Sequence, residues 1–106
     1  MSDKSYKVIF DEIILRQLKK AGKNRQLRSF LSKIFNKIEN LGPDAGKIID
    51  PKFFLYEVEM KSPPLRLYYR IDFQRREAYV FEYEMKTSPA KQKGALRRIK
   101  DKLLKS

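Results

Sequence analysis

The stretch FLYEVEMKSPPLRLYYRIDFQRREAYVFEYEMK, residues 54–86, decides the fold. Within it three runs alternate apolar and polar side chains with a period of two, the period of a β-strand. In 54–60, Phe54, Tyr56, Val58 and Met60 share one face, with Leu55, Glu57 and Glu59 on the other. In 65–73, Leu65, Leu67, Tyr69, Ile71 and Phe73 share a face, and Arg66, Tyr68, Arg70 and Asp72 lie opposite. In 79–86, Tyr79, Phe81, Tyr83 and Met85 face one way, and Glu82, Glu84 and Lys86 the other. Ser62-Pro63-Pro64 and Gln74-Arg75-Arg76 stand where the two chain reversals belong. The pattern predicts an antiparallel sheet with one buried and one wet face.

Upstream, 6–10 is β-rich and predicts a first strand. Asp11 is placed to cap a helix whose apolar face is Ile14, Leu15 and Leu18, with Gly22 as its stop. Asn24 is placed to cap a second helix carrying Leu27, Phe30, Leu31, Ile34, Phe35, Ile38 and Leu41 at spacings of three and four, ended by Gly42-Pro43. Residues 43–53 read as a connector. Downstream, Thr87 or Ser88 is placed to cap a last helix with Pro89 in its first turn and Leu96, Ile99 and Leu103 as its stripe. The expected class is α+β, in the order β-α-α-β-β-β-α, with a small antiparallel-rich sheet packed against helices. With 106 residues, a single domain over 1–106 is expected.

Composition narrows the chemistry. Cysteine and histidine are both absent. Disulfides, thiolate catalysis, the usual zinc sites and a Ser-His-Asp triad are therefore excluded, and acid–base work falls to Glu, Asp, Lys, Arg or Tyr. Neither a cofactor nor a metal is expected. No run of about 18 apolar residues exists, the first six residues have no apolar leader core, and a cytoplasmic location is expected. The 25 Lys+Arg against 13 Asp+Glu give a formal charge of +12, which calls for a nucleic acid, an acidic protein or an anionic membrane as partner. That charge is concentrated. Residues 16–37 hold Arg16, Lys19, Lys20, Lys23, Arg25, Arg28, Lys33 and Lys37 with no acid, and from residue 86 onward eight more basic residues, among them Lys91, Lys93, Arg97 and Arg98, face only Asp101. Ordinary helix surfaces mix Glu with Lys because the pairs help. An acid-free run forgoes that, which favours polyanion binding over a merely solvated face and makes Lys19, Lys20, Lys23, Arg25, Arg28, Lys91, Lys93, Arg97 and Arg98 candidate RNA contacts.

Three segments carry a family resemblance: Leu55-Tyr56-Glu57-Val58, then Leu65-Arg66-Leu67-Tyr68-Tyr69-Arg70-Ile71, then Phe81 to Pro89, an aromatic strand followed by Lys86, Thr87-Ser88-Pro89 and a basic helix. Their order and spacing resemble the RelE/ParE toxin superfamily, particularly its HigB-like branch, over almost the whole chain. The resemblance implies a type II toxin that enters the ribosome, cuts mRNA there without a metal and is held inactive by an acidic antitoxin. It also admits a non-nuclease alternative: a ParE-like topoisomerase inhibitor, or a decayed toxin that only binds its antitoxin or RNA. By the same resemblance Arg66 stands where the family contacts the scissile phosphate, and Lys86 where a basic residue steadies the transition state. Glu57 and Glu59 stand where RelE-type members carry lysines.

Cleavage by 2′-hydroxyl attack needs a base, a cation for the phosphorane and a proton for the leaving oxygen. Glu59 or Glu82 is the candidate base, Arg66 and Lys86 the candidate cations, and Tyr68 and Arg70 candidate base and phosphate contacts. The plain alternative for the four glutamates is a cross-strand ion-pair ladder, each exposed pair worth about 0–1 kcal/mol.

Overall fold

In a computed structural model, which describes residues 6–86 and 89–105, the elements are β1 (Lys7–Phe10), α1 (Glu12–Lys20), α2 (Arg25–Leu41), β2 (Lys47–Asp50), β3 (Leu55–Lys61), β4 (Pro64–Asp72), β5 (Glu77–Met85) and α3 (Pro89–Lys105). The strands form one sheet in the order β1-β5-β4-β3-β2. β1 runs parallel to β5, and every other pairing is antiparallel.

Local chemistry sets the helix starts as expected. Asp11 accepts a hydrogen bond from the Ile13 N–H at 2.9 Å, and Asn24 accepts one from the Leu27 N–H at 3.0 Å. α1 stops one residue early, capped by Ala21, and a 3₁₀ turn (Ala21–Lys23) leads into α2. α1 and α2 cover one face of the sheet through Ile14, Leu31, Ile34 and Ile38, which meet Val58, Leu67, Tyr69, Ile71 and Val80. Leu15, Leu41, Phe54 and Phe73, read from periodicity as inward, are instead exposed. The proposed caps of α3, Thr87 and Ser88, lie outside the described residues.

Three features depart from the sequence expectation. First, the connector contains a strand: β2 pairs with β3 from Lys47 opposite Glu57. Gly46 permits this, because a Cβ there would lie 2.2 Å from the Glu57 carbonyl oxygen. Second, the alternation of β5 is broken. Tyr68 pairs with Glu82 but Tyr69 pairs with Val80, so Phe81 is an extra residue in a β-bulge. Tyr79 and Phe81 consequently leave the α1/α2 side, while Tyr83 and Met85 stay on it. Third, the face expected to be wet is covered. α3 lies across it, and Ala95 and Ile99 pack on Leu55, Tyr68 and Phe81. Leu55 and Tyr68 on the supposedly polar face were the trace of this second core.

Candidate functional site: an ionic cluster at the basic end of the sheet

The α3-side face of β3, β4 and β5 brings together Glu57, Glu59, Arg66, Tyr68, Glu84 and Lys86. Register dictates the grouping, since Arg66 lies opposite Glu59 on one side and Glu84 on the other. Arg66 Nε is 3.1 Å from Glu57 Oε1 and 3.6 Å from Glu59 Oε2, and its Nη1 is 3.6 Å from Glu84 Oε1. Lys86 Nζ lies 3.2 Å from Glu59 Oε1, and Lys47 Nζ 3.7 Å from Glu57 Oε2. Two of the three carboxylates around Arg66, Glu57 and Glu84, are buried. The Arg66–Glu57 contact is within ion-pair range but off the hydrogen-bond line, so both atoms are held by charge rather than by aligned donors.

Of the candidate catalytic residues, Arg66, Lys86 and Glu59 are brought together. Glu59 is the most accessible carboxylate of the three, and the Lys86 ammonium beside it holds its pKa below the usual glutamate value. It therefore stays ionised, which suits a pairing partner of Lys86 better than a proton acceptor poised near neutrality. Glu82 does not join them as a base. It is 2 % exposed and gripped by Arg98, whose Nη2 and Nε lie 2.6 and 3.4 Å from its two carboxylate oxygens. The fork raises the Arg98 pKa further and spends part of a guanidinium read as an RNA contact.

Tyr68 cannot stack on a base. It has no exposed surface, and its hydroxyl donates to Glu84 Oε1 at 2.5 Å. Burial first, and that hydrogen bond second, push its pKa far above the ordinary tyrosine value. The expectation failed because α3 covers the face on which strand parity had placed it. Arg70 lies on the same face but further along β4, beside Leu55 and Tyr79, away from the Arg66 cluster.

The remaining candidate contacts converge on one end of the molecule. Gln17 of α1 donates to the Tyr83 carbonyl at 2.8 Å and accepts from the Tyr83 N–H at 2.9 Å, so its amide stands in for a strand beside the far half of β5. This carries the C-terminal end of α1 toward Met85. Asn24, the cap of α2, and Leu27 and Phe30 within it share a cleft with Ser62, Pro63 and Met85. Lys91, Gly94 and Arg98 of α3 line another, of about 540 Å³, with Gln17, Tyr83 and Met85. Lys19, Lys20, Lys23, Arg25, Arg28, Lys91, Lys93 and Arg97 are all exposed. The end of α1, the starts of α2 and α3, the β3–β4 turn and Lys86 thus sit at the same end of the sheet. Sequence reading did not find Gln17 or the Glu82–Arg98 fork. Their partners are 66 and 16 residues away, and nothing local marks them.

Comparison with solved structures places the fold. The chain superposes on isolated Escherichia coli RelE toxin with a TM-score of 0.64 and 24% identity, over 89% of this chain and 98% of that one. A doubly mutated E. coli RelE in the free state gives 0.68 and 22%, over 90% and 98%. The RelBE2 toxin–antitoxin complex of Mycobacterium tuberculosis gives 0.63 and 20%, over 79% and 94%. No family model and no curated protein sequence matches. The chain therefore has the α+β fold of RelE-type toxins, with a five-stranded mixed sheet and three α-helices among the described residues.

Proposed function

We propose that this chain is the toxin of a type II toxin–antitoxin pair, acting in the cytoplasm on the translating ribosome and cutting mRNA there without a cofactor. The observation that carries the reading is the convergence, on a RelE-type fold, of acid-free helix ends on the end of the sheet that bears Arg66 and Lys86. RNA binds across Lys19, Lys20, Lys23, Arg25, Arg28, Lys91, Lys93 and Arg97. Lys86 and the outer edge of Arg66 meet the phosphate at the centre of that surface, with Glu59 moving aside to free them. The same charge that draws RNA draws an acidic antitoxin, which competes for it.

A second reading has its own observation. Arg66 is enclosed by three carboxylates, and the sheet face balances Glu57, Glu59, Glu82 and Glu84 against Lys47, Arg66, Lys86 and Arg98. A chain whose phosphate contact is locked this way binds RNA, a topoisomerase or an antitoxin without cutting. Induction of the chain without a partner separates the readings. Growth arrest with newly cut mRNA inside ribosome-protected regions supports the nuclease. Arrest with intact mRNA selects the non-cleaving form, and undisturbed growth removes the toxin reading. Lys86→Ala is the informative variant, because among the described residues Lys86 pairs only with the accessible Glu59, and its loss leaves the buried cluster intact.

A further inference from the structure

One carboxylate of the Arg66 cluster is unlike the other two. The side chains of Glu57 and Glu84 are 4 and 8 % exposed, whereas that of Glu59 is 35 % exposed. Glu59 stands near the end of β3, and both of its oxygens are engaged. Oε1 lies 3.2 Å from Lys86 Nζ, and Oε2 lies 3.6 Å from Arg66 Nε. Among the described residues it is the one carboxylate within ion-pair range of Lys86. Lys86 is itself fixed in place, because its backbone N–H donates to the Pro64 carbonyl at 2.9 Å.

The charges of the cluster balance. Glu57, Glu59 and Glu84 face Lys47, Arg66 and Lys86, so the group is neutral as it stands. If Glu59 turns into water, one positive charge is uncovered. It is uncovered at Lys86, because Arg66 keeps Glu57 and Glu84. Arg66 Nε is buried, so an incoming anion meets Lys86 Nζ first, with the Arg66 charge behind it. Glu59 can make that turn because it is already partly in water, where its ion pairs are screened. Glu57 and Glu84 are enclosed and have no such path.

We propose that Glu59 is a gate on Lys86, an internal carboxylate that an incoming phosphate group must displace, and that it selects for ligands carrying several phosphates over single anions. The cost of displacing Glu59 is the same for every ligand. A free phosphate gains only Lys86 in return. An RNA strand also gains contacts at the exposed Lys19, Lys20, Lys23 and Lys91 of the same end, and these outweigh the cost. The inference rests on the RNA reading for the source of the phosphates. It deepens that reading by naming the residue that decides which ligands reach the central cation.

The test follows the Lys86 side-chain resonances of the whole chain by NMR, at fixed ionic strength, during titration with inorganic phosphate, oligouridine or an oligoglutamate of equal charge. In the unaltered chain oligouridine should move them and inorganic phosphate should not. In Glu59→Gln, which keeps the size and removes the charge, phosphate should move them too, and oligouridine should bind about three- to tenfold tighter. Asp101→Asn changes the net charge equally at an exposed position on α3 and should tighten binding far less. Glu59→Ala should act like Glu59→Gln, whereas a folding lesion would weaken binding. Phosphate reaching Lys86 equally in both chains, no tightening in either Glu59 variant, equal tightening in Asp101→Asn, or oligoglutamate acting at lower concentration than oligouridine overturns the gate. Growth arrest on induction is read independently. Arrest with an ungated Lys86 sinks this inference alone, and a gated Lys86 without arrest sinks only the toxin reading.

Discussion

At Arg66 one side chain serves two possible masters, and burial decides which interaction dominates in the free protein. Glu57 and Glu84 are 4 and 9 % exposed, and Arg66 between them offsets their negative charge, with Lys47 beside Glu57 and the Tyr68 hydroxyl donating to Glu84. Removing one partner of such a cluster leaves an uncompensated buried charge, which costs about 3–5 kcal/mol. Arg66→Met should therefore lower the unfolding free energy by that measure and move the urea midpoint down, with Glu57→Gln in the same chain recovering part of the loss. An unchanged midpoint would show that the cluster is solvated and Arg66 free for phosphate. Asp11 gives a second residue-level expectation. Burial alone would raise its pKa, but hydrogen bonds from Lys102, the Ile13 N–H and Tyr79 outweigh it and hold the folded value below 3.8. A carboxyl depressed in the folded state contributes stability that is complete above its unfolded value and is lost as pH falls through the folded one. Asp11→Asn, which keeps the helix cap, should lower stability at neutral pH and flatten the loss below 3.8, as read by denaturant midpoints across that range. Tyr79, pushed up to about 12 by burial and its bond to Asp11, stays a donor throughout.

Among the elements, α3 matters most for the site, because it turns a supposedly solvated strand face into a second core. Ile99 has no exposed surface and packs against Leu55, Tyr68 and Phe81. Ile99→Ala should cost about 2–5 kcal/mol. It should also speed amide exchange in β4 and β5, whereas Leu103→Ala, on a half-buried side chain, should cost less. Equal effects of the two would mean that α3 is not anchored through Ile99. The legibility of the elements follows from the range of the forces that make them. The caps at Asp11 and Asn24, the α2 stripe and the β3 and β4 alternation are local, and they were readable. The bulge at Phe81 was not, because an inserted residue reveals itself only through the strand opposite. β2 was hidden because its four residues pair through backbone once Gly46 permits the approach, and a run of four carries little periodic signal. The covering of the sheet by α3 was half legible, in Leu55 and Tyr68, but period-two parity alone does not say what lies over a face. The site followed the same rule. Arg66, Lys86 and Glu59 share a face by parity and were found together, while Tyr68, Glu82 and Arg98 were assigned to ligands although tertiary partners already hold them.

Over the whole molecule the charge is polar in the geometric sense. The net +12 is spread over 106 residues, yet the acid-free helix ends meet at the end of the sheet marked by Met85 and Pro63. The opposite end holds the β4–β5 turn and the exposed pair Phe54 and Phe73, whose rings meet edge to face at 5.3 Å. If binding were driven by total charge alone, any three cations would be equivalent. If it is driven by a surface, position decides. Replacing Lys20, Lys23 and Arg28 by Gln, or Lys7, Lys37 and Lys52 by Gln, lowers the formal charge by the same amount, but the first set lies at the basic end and the second away from it. Each phosphate contact on single-stranded RNA contributes about 0.7 to the slope of log K against log salt. Binding of a labelled oligouridine should therefore lose about two units of slope in the first variant and little in the second. Equal losses would reduce the basic end to a general polyelectrolyte effect. An unequal loss in the expected sense would give RNA a fixed lane across α1, α2 and α3, leading over Lys86.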